Sequence, residues 1–91
     1  MPLEVKYLDA NWEGRAIVRL DIDHVLQSTI SVEEEMSDGP GGTLRVMYVG
    51  YTQNARLLEV GVEYLEGDRE LIFHADDATP YYKKLFREAN Q

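Results

Sequence analysis

His74 is the side chain in this sequence best suited to chemistry. A neutral imidazole can take a proton from a hydroxyl and, once charged, stabilise an anion. The plainer alternative is a strand-end histidine hydrogen-bonded to the cap of a neighbouring helix. Arg45 and Arg56 could each grip a phosphate by two parallel hydrogen bonds. Equally, each could be a solvated arginine paired across a sheet with Glu59 or with Glu33, Glu34 and Glu35. Lys83 and Lys84, with Arg87, form the one basic cluster in the sequence. In the plainer reading they complement the dipole of a C-terminal helix. Tyr81 and Tyr82 could stack on bases, or pack on a sheet beside Leu85, Phe86 and Ala89. Trp12 reads as core or as a partner-facing anchor.

Other chemistries find little footing. Asp21-x-Asp23-His24 and His74-x-Asp76-Asp77 gather ligand types, but neither has the spacing of a metal motif. Helix capping accounts for Asp21, Asp76 and Asp77 without an ion, so no metal and no cofactor is assigned. The absence of cysteine excludes disulfides and thiolate metal sites and suits a reducing interior. No serine or cysteine lies in a nucleophile-elbow motif. The Ser37-Asp38-Gly39-Pro40-Gly41-Gly42 stretch lacks the Lys-Ser/Thr that a phosphate-cradling loop requires; it is a chain breaker and reads as a mobile loop.

The elements that must position these residues are organised around Leu44 to Ala75. Three apolar runs, Leu44 to Tyr51, Leu57 to Leu65 and Leu71 to Ala75, are separated by turn chemistry at Thr52-Gln53-Asn54-Ala55 and Glu66-Gly67-Asp68. Two hairpins in series predict an antiparallel meander. Leu44, Val46 and Tyr48 share one face of it, and Arg45, Met47, Val49 and Tyr51 the other. Leu58, Val60, Val62 and Tyr64 form an apolar face while Glu59 and Glu63 point away, which predicts one packed face and one partly wet. In the third strand, alternation sets Leu71, Phe73 and Ala75 opposite Ile72 and His74.

Before the meander, Leu3 to Leu8 alternates as a short strand, or as a tail that orders on a neighbour. Asn11 is placed to cap a first helix reaching about Arg19, with Trp12, Ala16, Ile17 and Leu20 on one stripe. Asp21 is placed to cap a second helix, Ile22 to Ser28, with Ile22, Val25 and Leu26 facing the core. Thr29 to Met36 reads as an edge strand whose charges discourage further pairing. After the meander, Thr79-Pro80 announces a final helix, with Thr as cap and Pro at the first helical position. The fold class is α+β: one or two short N-terminal helices, an antiparallel meander of three to four strands, and a C-terminal helix packed on the sheet.

At 91 residues the chain forms one domain, spanning 1–91. No apolar run approaches the roughly 18–20 residues that span a bilayer, and the N-terminus lacks a signal-peptide pattern. No membrane is therefore expected, and the cytoplasm is the default location. The net charge of −8 disfavours a broad nucleic-acid footprint and favours a basic protein partner.

Met47-Tyr48-Val49-Gly50, Ala55-Arg56-Leu57-Leu58-Glu59-Val60-Gly61-Val62, Gly67-Asp68, Ile72-Phe73-His74-Ala75, Thr79-Pro80 and Tyr82-Lys83 resemble the BrnT-like toxins of the RelE superfamily. The likeness is to a branch with a strand-end His-Ala pair, and it runs from about Asp21 to Phe86. It implies helices, then an antiparallel sheet, then a closing helix. It also implies a ribonuclease toxin of a type II toxin–antitoxin system, neutralised by a cognate antitoxin. On that reading His74, Arg56 and Arg45 are catalytic, Lys83, Tyr82 and Lys84 face RNA, and cleavage is metal-independent. Asp76, Asp77 and Thr79 stand where the family usually carries an Arg. An acidic pair there repels a phosphodiester, so the departure predicts weakened or absent cleavage. The alternative function is a non-catalytic acidic interaction module, or a homodimer.

Overall fold

The computed structural model describes residues 4–8, 11–36 and 38–91. In chain order the elements are β1 (Glu4–Tyr7), α1 (Asn11–Gly14), α2 (Arg19–Gln27), β2 (Val32–Glu35), β3 (Leu44–Tyr51), β4 (Leu57–Leu65), β5 (Arg69–Asp77) and α3 (Pro80–Ala89), with a 3-10 turn at Pro40–Gly42. The fold is α+β, as the alternation of apolar runs predicts. The sheet has five strands in the order β1-β5-β4-β3-β2, antiparallel except where β1 joins β5 in parallel. The predicted meander is β3, β4 and β5. Its turns are made where the sequence places them, with Ala55, Gly67 and Asp68 in the left-handed region. The strand expected from Leu3 to Leu8 pairs with the chain's own sheet; Leu3 itself lies outside the described residues, as does Ser37 of the Gly-Pro loop and the capping side chain expected of Asn11.

Four expectations are corrected. The first helix does not reach Arg19. It ends at Gly14, and Ala16 at φ 58° turns the chain before α2. Gly14 favours that ending, and Trp12 and Ile17 are buried while Ala16 and Leu20 are exposed. Asp21 is not the cap of α2. The helix starts three residues earlier, at Arg19, and Asp21 reaches back to accept the Val18 N–H at 3.0 Å, satisfying one of the donors that a helix start leaves open.

The third correction concerns β5. A bulge between Gly61 and Val62 sets Gly61 opposite His74 and Val62 opposite Ile72, so Phe73 is the extra residue. A bulge resets the alternation, and Ile72 and Ala75, expected on opposite faces, both enter one core. The fourth concerns the face expected to be partly wet. It carries α3, and Glu59 and Glu63 are 5% and 6% exposed.

The sheet therefore has two packed faces. On one, α1 and α2 cover Leu58, Val60, Val62, Ile72 and Ala75 with Trp12, Ile17, Ile22 and Val25, flanked by Tyr7, Leu26, Tyr48 and Tyr64. On the other, Phe86 and Ala78 pack with Val49, flanked by Val32, Leu57 and Tyr82. Among the described residues no helix is long and apolar enough to cross a membrane.

Candidate functional site

Strand register builds the site on the α3 face. Gly61 of β4 sits between Met47 of β3 and His74 of β5, so Met47, His74 and the neighbouring Glu59 rise from the same face. Gly61 is needed there: a Cβ at this position would lie 2.6 Å from the Phe73 ring and 3.1 Å from Met47 Sδ. These residues, with Met36 and Tyr82, line a pocket of about 280 Å³ between the sheet and α3.

The buried Glu59 carboxylate organises this pocket. One oxygen accepts the Thr79 backbone N–H at 2.6 Å, and the other lies 2.9 Å from His74 Nε2. An ionised carboxylate only accepts hydrogen bonds, so in this contact Nε2 donates and Nδ1 is the ring nitrogen turned away from Glu59. Among the described residues Nδ1 has no partner. A carboxylate that fixes the tautomer and orientation of an imidazole is the arrangement that general acid–base chemistry uses. The same carboxylate takes over capping at α3: the Thr79 side chain makes no cap bond, and Glu59 from β4 satisfies the Thr79 N–H.

A second buried carboxylate lies on this face. Glu63 accepts from Thr43 Oγ1 at 2.6 Å and from Arg45 Nε at 3.0 Å. The Thr43 hydrogen bond, followed by the Arg45 guanidinium, holds Glu63 below the usual carboxylate range. Arg45 also stacks over Phe73, 4.6 Å from the ring centroid, which puts it at the border of the His74 pocket.

Arg56 lies elsewhere. Its Nε and one Nη bind the two oxygens of Asp77 at 2.6 and 3.0 Å. The carbonyls of Arg15 and Ala16 accept from the two Nη atoms at 2.7 and 3.1 Å. This fastens the β3–β4 turn to the end of β5 and to the link between α1 and α2. The Arg56 hydrogen bond holds Asp77 below the usual carboxylate range and pushes Arg56 itself higher. Arg15 adds an ion pair to Asp76 at 3.3 Å.

Of the residues singled out in the sequence, the structure gathers His74 and Tyr82 in one pocket, with Arg45 at its border. Arg56 is held at the strand end. Lys83 and Lys84 are exposed on α3; Lys84 lies 3.8 Å from Glu88, and the charge of Lys83 is felt at Asp77. Burial pushes the Tyr82 phenol up, and Tyr81 donates to Glu34 at 2.6 Å. Trp12 is core, stacked edge-on against Tyr7, and its Nε1 has no partner among the described residues.

The two clusters of possible metal ligands are otherwise engaged. Asp23 accepts the Tyr7 hydroxyl at 2.6 Å, and His24 Nδ1 lies 2.9 Å from the Tyr51 carbonyl. Among the described residues no three histidine or carboxylate side chains gather around a common point. Strand alternation alone sets Glu59 and Glu63 facing solvent, whereas both are buried. The available signal was their register: each sits beside an apolar residue on a strand that has strands on both sides. No protein-family model matches the chain, and no curated protein matches it.

Proposed function

We propose that the chain is a BrnT-like toxin homologue of a type II toxin–antitoxin system, with His74 as the acid–base group of a metal-independent ribonuclease centre. The observation that carries this reading is the buried Glu59 carboxylate on His74 Nε2, which leaves Nδ1 as a base open to a pocket. In the reaction, Nδ1 takes the proton of a ribose 2′-hydroxyl. The 2′-oxygen attacks the neighbouring phosphorus, the bond from phosphorus to the 5′-oxygen breaks, and the imidazolium returns a proton to that leaving oxygen. Arg45 and Lys83 hold phosphate, with Tyr82 and Lys84 beside the RNA. Arg56 joins them only by exchanging Asp77 for phosphate, so cleavage is weak.

A second reading is favoured by that same commitment of cations. Arg45 and Arg56 both bind carboxylates of their own chain, which lowers their attraction for a phosphodiester. On this reading the chain is a non-catalytic acidic interaction module, and the Glu59–His74 pair holds α3 to the sheet.

RNA cleavage by wild type, His74→Ala and Glu59→Gln, each checked for folding by circular dichroism, separates the two. The ribonuclease reading expects cleavage in the wild type that falls about 10²-fold or more in His74→Ala. Equal cleavage in both, or none in either, removes it and leaves the module.

A further inference from the structure

The sheet face that carries α2 is left partly open where β3 begins, at Leu44. Helix α2 sits over the end of β3 that holds Gly50 and Tyr51: His24 contacts the Tyr51 carbonyl, and a Cβ on Gly50 would meet Val25 and Ser31. Leu44 lies at the opposite end of the strand, about 20 Å away at 3.4 Å per residue, and among the described residues only strand residues line the groove beside it. There, Leu44, Val46, Tyr48 and Tyr64 line an open groove of about 290 Å³ with Glu33 and Glu35 on its rim. Leu44 is 42% exposed. Because β2 is the outer strand, the groove opens sideways at the edge of the sheet.

Its electrostatics are one-sided. The Tyr48 and Tyr64 hydroxyls are hydrogen-bonded to each other. Burial pushes both phenols up, and the charges of Glu33 and Glu70 add to that rise, so both carboxylates act on the phenol pair. Among the described residues Glu33, Glu35 and Glu70 have no hydrogen-bond or ion-pair partner. The carboxylates on the α3 face are, by contrast, each bonded to donors.

We propose that this groove is a docking surface for a basic amphipathic segment of a protein partner, whose apolar side chains lie on Leu44 and the rings of Tyr48 and Tyr64, with the buried Val46 as the groove floor, while its lysines or arginines meet Glu33, Glu35 and Glu70. Charge complementarity selects this occupant. A second copy of the chain would set the same carboxylates against one another, and a nucleic acid or an anionic membrane would be repelled. Aromatic rings beside carboxylates suit a cation, because the ring face adds its own attraction to that of the charge. The proposal is independent of His74, which lies on the other face of the sheet.

The probe is a ten-residue peptide alternating leucine with lysine, titrated into the full chain by calorimetry and followed by amide chemical shifts. Shifts confined to residues 33–35, 44–48, 64 and 70 are expected. Glu33→Gln/Glu35→Gln, at exposed or rim positions that leave the core intact, weakens binding about fivefold. Leu44→Asn weakens it further. Glu88→Gln, at a remote exposed site on α3, stays within about twofold of wild type on the same scale. No binding, shifts centred elsewhere, or an equal loss in the remote variant overturns the proposal. Shifts centred on His74 do so too, while leaving the ribonuclease reading untouched.

Discussion

Between α1–α2 and the sheet, Ile17, Ile22, Val25, Leu58, Val60, Val62, Ile72 and Ala75 form one buried apolar cluster, and among the described residues the buried charged side chains, Glu59 and Glu63, lie on the other face. On the sheet face that carries α3, Val49, Ala78 and Phe86 are joined by the buried Glu59 and Glu63 and by the half-buried His74. The first face gains its cohesion from apolar surface removed from water, at about 25 cal/mol per Å². The second carries carboxylates whose burial costs several kcal/mol each unless donors satisfy them. Each of the two is given two donors. The contrast teaches that this fold separates apolar cohesion from buried, donor-satisfied charge, one on each side of a single sheet.

That separation can be tested from the largest effect down. Leu58→Ala on the first face removes a fully buried side chain, and urea unfolding should show a loss of about 2–5 kcal/mol. Glu59→Ala on the second leaves the Thr79 N–H and His74 Nε2 without an acceptor. It should cost about 1–3 kcal/mol and speed amide exchange at Thr79, whereas Leu58→Ala should not single out that amide. Equal exchange in the two variants would mean that Glu59 does not cap α3.

The faces should also fail at opposite ends of the pH scale. Glu63 is depressed, so its stabilisation is present above the ordinary carboxylate range and lost as pH falls through its lowered value. Tyr7 is pushed up to about 12 by burial and by its bond to Asp23, and Tyr48 is pushed up further. Their stabilisation is complete below pH 10 and is lost as pH rises through those raised values. Stability measured across pH should show Glu63→Gln flattening the acid limb and Tyr48→Phe the alkaline limb; the reverse pattern would break the comparison. Outside both faces, Lys84→Ala removes only an exposed pair one turn apart, and should change stability by about 0.5 kcal/mol or less.

The legible parts of the fold are those set by local periodicity and turn chemistry. The three long strands, the Thr79-Pro80 helix start and the core residues Ile22 and Val25 follow from spacing alone. What spacing cannot express is register. A single extra residue at Phe73 brings Ile72 to the side of Ala75, and nothing in the alternation of apolar residues marks it. The site was legible as to His74, because imidazole is rare here and chemically conspicuous. Its partner was hidden, because Glu59 reads as a solvent-facing strand residue until α3 is known to lie over it. Arg56 was ambiguous for the same reason. Its bond to Asp77 joins positions 21 residues apart, and its bonds to Arg15 and Ala16 span about 40.

The parallel seat of β1 on β5 has a consequence for how the chain is made. Residues 4–7 pair with residues 69–72, so β1 cannot settle on its partner strand until the residues between them have been translated. At about 5–20 residues per second that is a wait of roughly 3–13 s. During that interval the nascent strand is open to chaperones, proteases or another strand edge. Strand β1 is thus made long before its seat exists, and the delay is written into the order of the strands.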